Sequence, residues 1–327
     1  MDAKARSKAM RAILSRLTEG GQFEVCLFGD KTIIDEPVEK WPSCDFLIAF
    51  HSKGFPLSKA IDYQQRTGVY SVNDVQLQSL LLDRRLITAV LEANDVPTPR
   101  RLFSSLDGGP QISPELMELL SRDFGIDYYS VFKRHRLEFR NGAIIGKHME
   151  IKFPFLEKPV DAEDHNINVF MGDDHVVRLF RKIGNKSSES IESPSIASDM
   201  IRIDSKADHL YEEFVESVPT AEDIKVYTVG PYYAYAETRK APTKDGVVER
   251  DLEGKEVRYP CELTEQEQEI ARRVCMAFGQ TVCGMDLLRC KRPNGDLQTV
   301  VVDVNGWSFV KGNDAYYDEC AKILKET

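Results

Sequence analysis

No stretch of these 327 residues is apolar for long enough to cross a membrane. A span needs roughly 18 such residues, and no signal-peptide core follows Met1 either. The seven cysteines are odd in number and contain no CxxC pair, and the six histidines show no ligand spacing. That excludes a disulfide framework and a structural zinc site, and it points to a reducing compartment, the cytosol. Surplus positive charge is also lacking: 43 Lys and Arg stand against 53 Asp and Glu, a net charge of −10. Non-specific binding to nucleic acid is therefore disfavoured. Internal repeats are absent. The basic, helical start from Met1 to Leu17 imitates a mitochondrial presequence, which is the less favoured reading.

What remains is the composition of a globular α/β protein, 42% hydrophobic and 29% charged, long enough for two domains. The positive residues gather locally, at Arg178 to Lys182, Lys225, Arg239-Lys240, Arg258 and Lys311, each on or beside a predicted strand. Strand-borne basic groups on an acidic protein suggest a focused site for a small polyanion. Residues 1–104 read as an N-terminal α/β domain. Phe23–Phe28 and Cys44–Phe50 have the length and composition of buried parallel strands. One amphipathic helix is expected over Val75–Ala93, capped by Asn73 or Asp74 and ending before Pro97 and Pro99. Residues 105–327 form the second domain, mostly β from Phe153 onward, with helices at Pro114–Ser121, Glu265–Phe278 and Asp314–Leu324. The polar run Lys186 to Ser195 reads as a mobile loop. Lys225 to Arg239 reads as two antiparallel strands broken at Gly230-Pro231.

The most informative feature lies near the C-terminal end. Thr281 to Leu288 and Gln298 to Gly306 are apolar, β-branched strands flanking Asn294-Gly295, the pair that best tolerates the positive φ of a tight hairpin turn. Counted outward from a two-residue loop there, Asp286 falls opposite Asp303 and Gly284 falls opposite Asn305. Like charges in facing positions repel unless a cation sits between them. Two carboxylates and an amide oxygen are hard ligands, suited to magnesium bridging phosphates. Gly284 would leave room for a ligand. Alone, Asn305-Gly306 also reads as a turn, and Asp303 as a charge that blunts an edge strand. The computed register and a second Asp on an otherwise apolar face favour the metal.

Around this hairpin the chain resembles a known family. Phe155 to Asn166, Arg178 to Gly184, Tyr211 to Phe214, Asp223 to Pro231, Glu249 to Pro260, Gln280 to Arg289 and Asp303 to Lys311 are similar to segments of the Vip-type diphosphoinositol pentakisphosphate kinases. Phe50 to Leu57 and Asp83-Arg84-Arg85 match as well, so the likeness covers most of the chain. The resemblance implies an α/β protein with an ATP-grasp fold and a Rossmann-like N-terminal domain. It implies ATP and Mg2+ as cofactors and a highly phosphorylated inositol as partner; the expected chain is a monomer with no nucleic-acid partner.

By the same resemblance, Asp286, Asp303 and Asn305 hold magnesium, and Asp303, Lys225 and Arg239 form the catalytic set. Arg84, Lys158, His165, Arg181, Lys225 and Asp286 would meet the ATP phosphates and their metal. A hinge near 211–215, with Glu212, Glu213 and Val215, would grip adenine, and Asp223 would lie near the ribose or adenine. Lys4, Lys53, Arg181, Lys182, Lys225, Arg239, Arg258, Ser308 and Lys311 would face the inositol phosphates. The implied reaction places a phosphoryl group on a phosphate, at position 1, of inositol hexakisphosphate or its 5-diphospho derivative. Such an acceptor is already an anionic oxygen and needs no strong general base, and none is evident.

The chain departs from the family pattern in several places. It starts just after the family's first strand, Ala3 replaces the first lysine of a basic pair, and no phosphatase-like domain follows. Gly172-Asp-Asp-His175 stands where the family has a glycine-rich loop, bringing two negative charges toward phosphates. Two rival readings remain: an ATP-grasp carboxylate–amine ligase using the same metal residues, and a non-catalytic inositol pyrophosphate sensor.

Overall fold

A computed structural model describes residues 2–133, 136–203, 208–218, 222–241, 247–250, 256–291 and 295–327. Four sheets organise them. At the N-terminal end β1 (Phe46–Leu47) pairs in parallel with β2 (Tyr70–Ser71). A three-stranded sheet holds β4 (Glu138–Arg140), β5 (Ala143–Ile145) and β6 (Glu150–Lys152). The six-stranded sheet runs β10 (Lys186–Glu192), β9 (His175–Ile183), β8 (Ile167–Phe170), β7 (Phe155–Pro159), β11 (His209–Glu213) and β3 (Arg101–Phe103). The five-stranded sheet runs β14 (Tyr259–Pro260), β13 (Ala234–Lys240), β12 (Glu222–Val229), β15 (Val282–Lys291) and β16 (Leu297–Asn305). All pairings in the two large sheets are antiparallel.

The helices cover the backs of these sheets. Glu265–Ala277 opens with a capping box in which Thr264 and Glu267 satisfy each other's backbone amides. Its apolar stripe, Ile270, Ala271 and Val274, packs with Leu86, Val90, Met285 and Leu287 in the largest core. Lys8–Thr18 and Asp314–Glu326 close a second core with Tyr227, Val229 and Trp307. The second core joins residues from both ends of the chain. No described helix is long and apolar enough to cross a membrane.

Several expectations need correction. The helix foreseen over Val75–Ala93 is two pieces, a 3-10 turn at Leu77–Leu82 and a helix at Arg84–Ala93. Asp83 separates them in an extended conformation and caps the second through the Arg85 amide. Asp74 caps the first piece, whereas buried Asn73 pairs through its amide with the backbone of Val282. Phe23–Phe28 carries no strand pairing, and Val25 and Leu27 are 40% and 39% exposed. Only Phe46–Leu47 of the second run is a strand. The polar run from Lys186 is an edge strand, not a loop. Its serines and glutamates suit an edge with one solvated side, and Glu189 reaches Arg178 at 3.0 Å. The helices at 114, 265 and 314 and the strands either side of Gly230 form as foreseen.

Candidate functional site

The five-stranded sheet presents one charged row. Its register sets Glu237 beside Lys225, Lys225 beside Asp286, and Asp286 beside Asp303, across four adjacent strands. The next row along the sheet is Tyr235, Tyr227, Gly284 and Asn305. Alternation along a strand puts positions two apart on the same face, so Asp303 and Asn305 point the same way. The Asn305 amide nitrogen donates to Asp303 Oδ2 at 3.1 Å, which leaves the amide oxygen for another partner.

The expected register holds at the aspartates, but by a different route. Near the turn Lys291 pairs with Leu297, so the loop is longer than two residues. Asn294 lies outside the described residues. An irregularity between Asp286 and Leu287 then inserts Val302 into β16, and the slip introduced at the turn is undone. The reading of Gly284 changes as well. A Cβ there would meet Ser308 Oγ at 2.3 Å and Ser308 Cβ at 2.5 Å. The space over Gly284 belongs to Ser308, not to a ligand.

Facing this row across a cavity of about 980 Å3 is the six-stranded sheet. Arg84, Lys158, His165, Arg181, Glu212, Glu213, Val215, Asp223, Lys225, Arg239, Asp286, Asp303 and Asn305 all line that one cavity. Lys158 and Glu212 form a buried ion pair, at 6% and 4% exposure, from neighbouring strands. The Arg84 guanidinium is engaged by the carbonyls of Pro159, Asp161, Ala162 and Asp164, so it also staples the loop that carries His165. Burial and then Arg181 hold the His165 imidazole below its usual pKa.

Charges at the cavity floor are shared. Lys225 Nζ stands 3.0 Å from Asp286 Oδ1, and Arg239 Nη2 lies 3.8 Å from Asp286 Oδ2 and 3.6 Å from Asp223 Oδ2. Burial works against the Asp286 carboxylate, but Lys225 and Arg239 keep it below the ordinary range. Burial pushes Asp223 up to about 6, with Asp286 adding to the rise and Arg239 opposing it. Among the described residues Arg239 Nε meets no acceptor.

These observations bear on a metal. Among the described residues no cluster of three or more His, Cys, Asp or Glu side chains forms a closed cage. The donor set is two facing carboxylates and an amide oxygen, with Asp286 Oδ1 buried beside the Lys225 ammonium. That set fits a hard divalent cation whose remaining ligands come from water and phosphate.

Of the other residues named above, Lys4 is placed over the Phe50 ring at 5.8 Å. Burial holds its ammonium down, with Glu163 and Arg181 within electrostatic reach. Lys53 and Lys311 are exposed and do not line the cavity. The side chain of Lys182 lies outside the described set. Arg258 is bound to Glu256, Glu237 and Tyr227 rather than open to the cavity. Glu237, Tyr227 and Glu256 escaped the sequence reading. The hairpin count that found Asp303, applied to Gly230-Pro231, would have set Ala236 beside Lys225, one position short of the Glu237 that pairs with it. Asp173 and Asp174 do not line the cavity. Their carbonyls accept from Ala197 and Ser193, and Asp173 Oδ1 accepts from Ser198.

Residues 1–83 match the family described as diphosphoinositol pentakisphosphate kinase 2 N-terminal domain. They belong to it. The whole chain is 46% identical to an inositol hexakisphosphate and diphosphoinositol-pentakisphosphate kinase of Saccharomyces cerevisiae, over 28% of that protein's length. It is 44% identical over 99% of its length to the corresponding human kinase 2, covering 24% of it. The motif resemblance to this kinase family therefore extends over the full chain, which spans about a quarter of the length of these curated relatives. Among solved structures, a RimK domain ATP-grasp protein of Sphaerobacter thermophilus aligns with a TM-score of 0.54 and 13% identity. That alignment covers 98% of this chain and 95% of the other. The fold is ATP-grasp, an α/β architecture as expected.

Proposed function

We propose that this chain transfers the γ-phosphoryl group of ATP to a phosphate of inositol hexakisphosphate or its 5-diphospho derivative, at position 1. The observation that carries the reading is the row Lys225, Asp286, Asp303 and Asn305, sharing one cavity with Arg84, Lys158, Arg181 and Arg239. It is supported by the names of the kinases to which the chain is similar. A polyanionic acceptor has to approach polyanionic ATP, so positioning and charge neutralisation supply nearly all the catalysis. Mg2+ held by Asp286, Asp303 and Asn305 would neutralise charge between the β- and γ-phosphates. Lys158 and Arg181 hold ATP phosphates from the six-stranded sheet. Lys225 and Arg239, on the opposite wall, stand where charge develops between donor and acceptor.

Asp223 and the segment Glu212 to Val215 receive the nucleoside. The acceptor oxygen is already anionic, which agrees with a cavity floor that pairs its carboxylates with cations. That Asp173 and Asp174 are not among the residues lining the cavity supports turnover over a sensor role. Seven free cysteines suit a reducing, cytosolic setting. With radiolabelled ATP and inositol hexakisphosphate, Asp303→Ala is expected to lower turnover by more than about 100-fold, the scale of losing one preorganised electrostatic group. Lys225→Ala behaves alike, and both stay folded by circular dichroism. Full turnover by Asp303→Ala sinks the assignment.

A further inference from the structure

Arg258 is gripped by two carboxylates of unlike standing. Glu237 sits inside β13, 7% exposed, and accepts from the Tyr235 hydroxyl at 3.2 Å and from Arg258 Nη1 at 3.3 Å. Nη1 also donates to the Tyr227 hydroxyl at 2.8 Å. These contacts fix one edge of the guanidinium to the sheet. Glu256 lies outside the named strands, in the chain between β13 and β14, and lines the cavity. Its Oε2 accepts from the other edge of Arg258, from Nε at 3.3 Å and from Nη2 at 2.9 Å. Arg239 and Asp223 also feel its charge. That Nε–Nη2 edge is the pair of parallel donors through which an arginine grips a phosphate.

We propose that Glu256 is an internal stand-in for an acceptor phosphate on Arg258, displaced when a polyanionic inositol enters, while Glu237 and Tyr227 keep the guanidinium in place. The inference rests on the kinase reading and deepens it. A carboxylate and a phosphate oxygen offer the same charge-assisted acceptor, so they compete for one edge of one side chain. Displacement favours the acceptor with the most negative charge. The stand-in therefore also discriminates against inositols with fewer phosphates. Glu237, by contrast, never leaves: it is buried, lies in a paired strand and holds the edge that faces away from the acceptor.

The two glutamates should thus change acceptor KM in opposite directions. At saturating ATP, Glu256→Gln is expected to lower the KM for inositol hexakisphosphate about five-fold, the scale of one partly exposed ion pair, and to leave the KM for ATP unchanged. The gain should be larger with an inositol pentakisphosphate. Glu237→Gln should raise the KM for inositol hexakisphosphate, again without moving that for ATP. Should Glu237→Gln fail to fold in a thermal melt, Tyr227→Phe takes its place and should act in the same direction. Glu256→Asp, which keeps the charge, should restore the KM toward that of the unmodified chain. A KM that is unchanged or raised in Glu256→Gln overturns the proposal while the kinase reading stands. No turnover by the unmodified chain overturns both.

Discussion

Lys158 and Glu212 show what a single residue contributes to this site. Each side chain is almost wholly buried, and the two come from diagonal positions of neighbouring antiparallel strands, where Lys158 faces Leu210 and Glu212 faces Leu156. Lys158 is also within reach of the Val302 carbonyl at 3.4 Å. A buried charge without its partner is strongly destabilising, whereas an apolar replacement of the whole pair is often neutral. Lys158→Met is therefore expected to destabilise the fold by about 3–5 kcal/mol in urea unfolding. The double variant Lys158→Met with Glu212→Gln should recover most of that. ATP turnover should fall in both, which separates the loss of a phosphate ligand from the loss of an ion pair. In the sequence, Lys158-Pro159 after a strand carries little meaning by itself. Its partner lies 54 positions away, and nothing local couples the two.

At the scale of the element, the hairpin of β15 and β16 was legible in its outcome and illegible in its path. Alternation and the Asn-Gly pair led to the correct facing of Asp286 and Asp303 and of Gly284 and Asn305. The longer turn and the extra Val302 were hidden, because Val300, Val301 and Val302 are alike in size and β-branching. Any of them can sit on either face. The edge strand at Lys186 was hidden for a related reason: a polar run reads as a loop unless its neighbour is known. The open run at Phe23–Phe28 erred in the other direction, since an apolar segment cannot announce whether a partner strand exists. Because side chains alternate with period two, removing one residue flips everything beyond it. Deleting Val302 should thus turn Asp303 and Asn305 from the cavity or drag Val300 and Val301 out of the core. Turnover should fall to the level of Asp303→Ala while far-UV circular dichroism changes little. Retained turnover in the deletion would show that the bulge does not aim these ligands.

At the scale of the whole molecule, one arginine ties the chain's parts together. Arg85 is 1% exposed and pairs with Asp83 at 2.8 Å, Asp107 at 2.9 Å and Asp208 at 3.4 Å. Asp208 further accepts from Ser104, Leu106 and the Asp107 amide. The knot joins the helix that begins at Arg84 to the segment after β3 and to the residue before β11. Two of those elements present Arg84 and Glu212 to the cavity. The sequence marks Asp83-Arg84-Arg85 as a motif but not which arginine faces the ligand: Arg84 lines the cavity and Arg85 faces away from it, into the knot. Burial opposes the charge on Asp107, yet hydrogen bonds from Arg85 and the Gly109 amide hold its carboxyl well below the usual range. A carboxyl with a depressed folded pKa stabilises the fold above its unfolded value, about 3.9, and that contribution fades as pH falls below it. Urea midpoints measured from pH 6 down to pH 2 should accordingly drop more steeply below pH 4 in the unmodified chain than in Asp107→Asn. Above pH 5 the variant should be the less stable of the two, and the curves should converge in acid. Parallel curves would mean that Arg85 draws its hold from Asp83 and Asp208 alone.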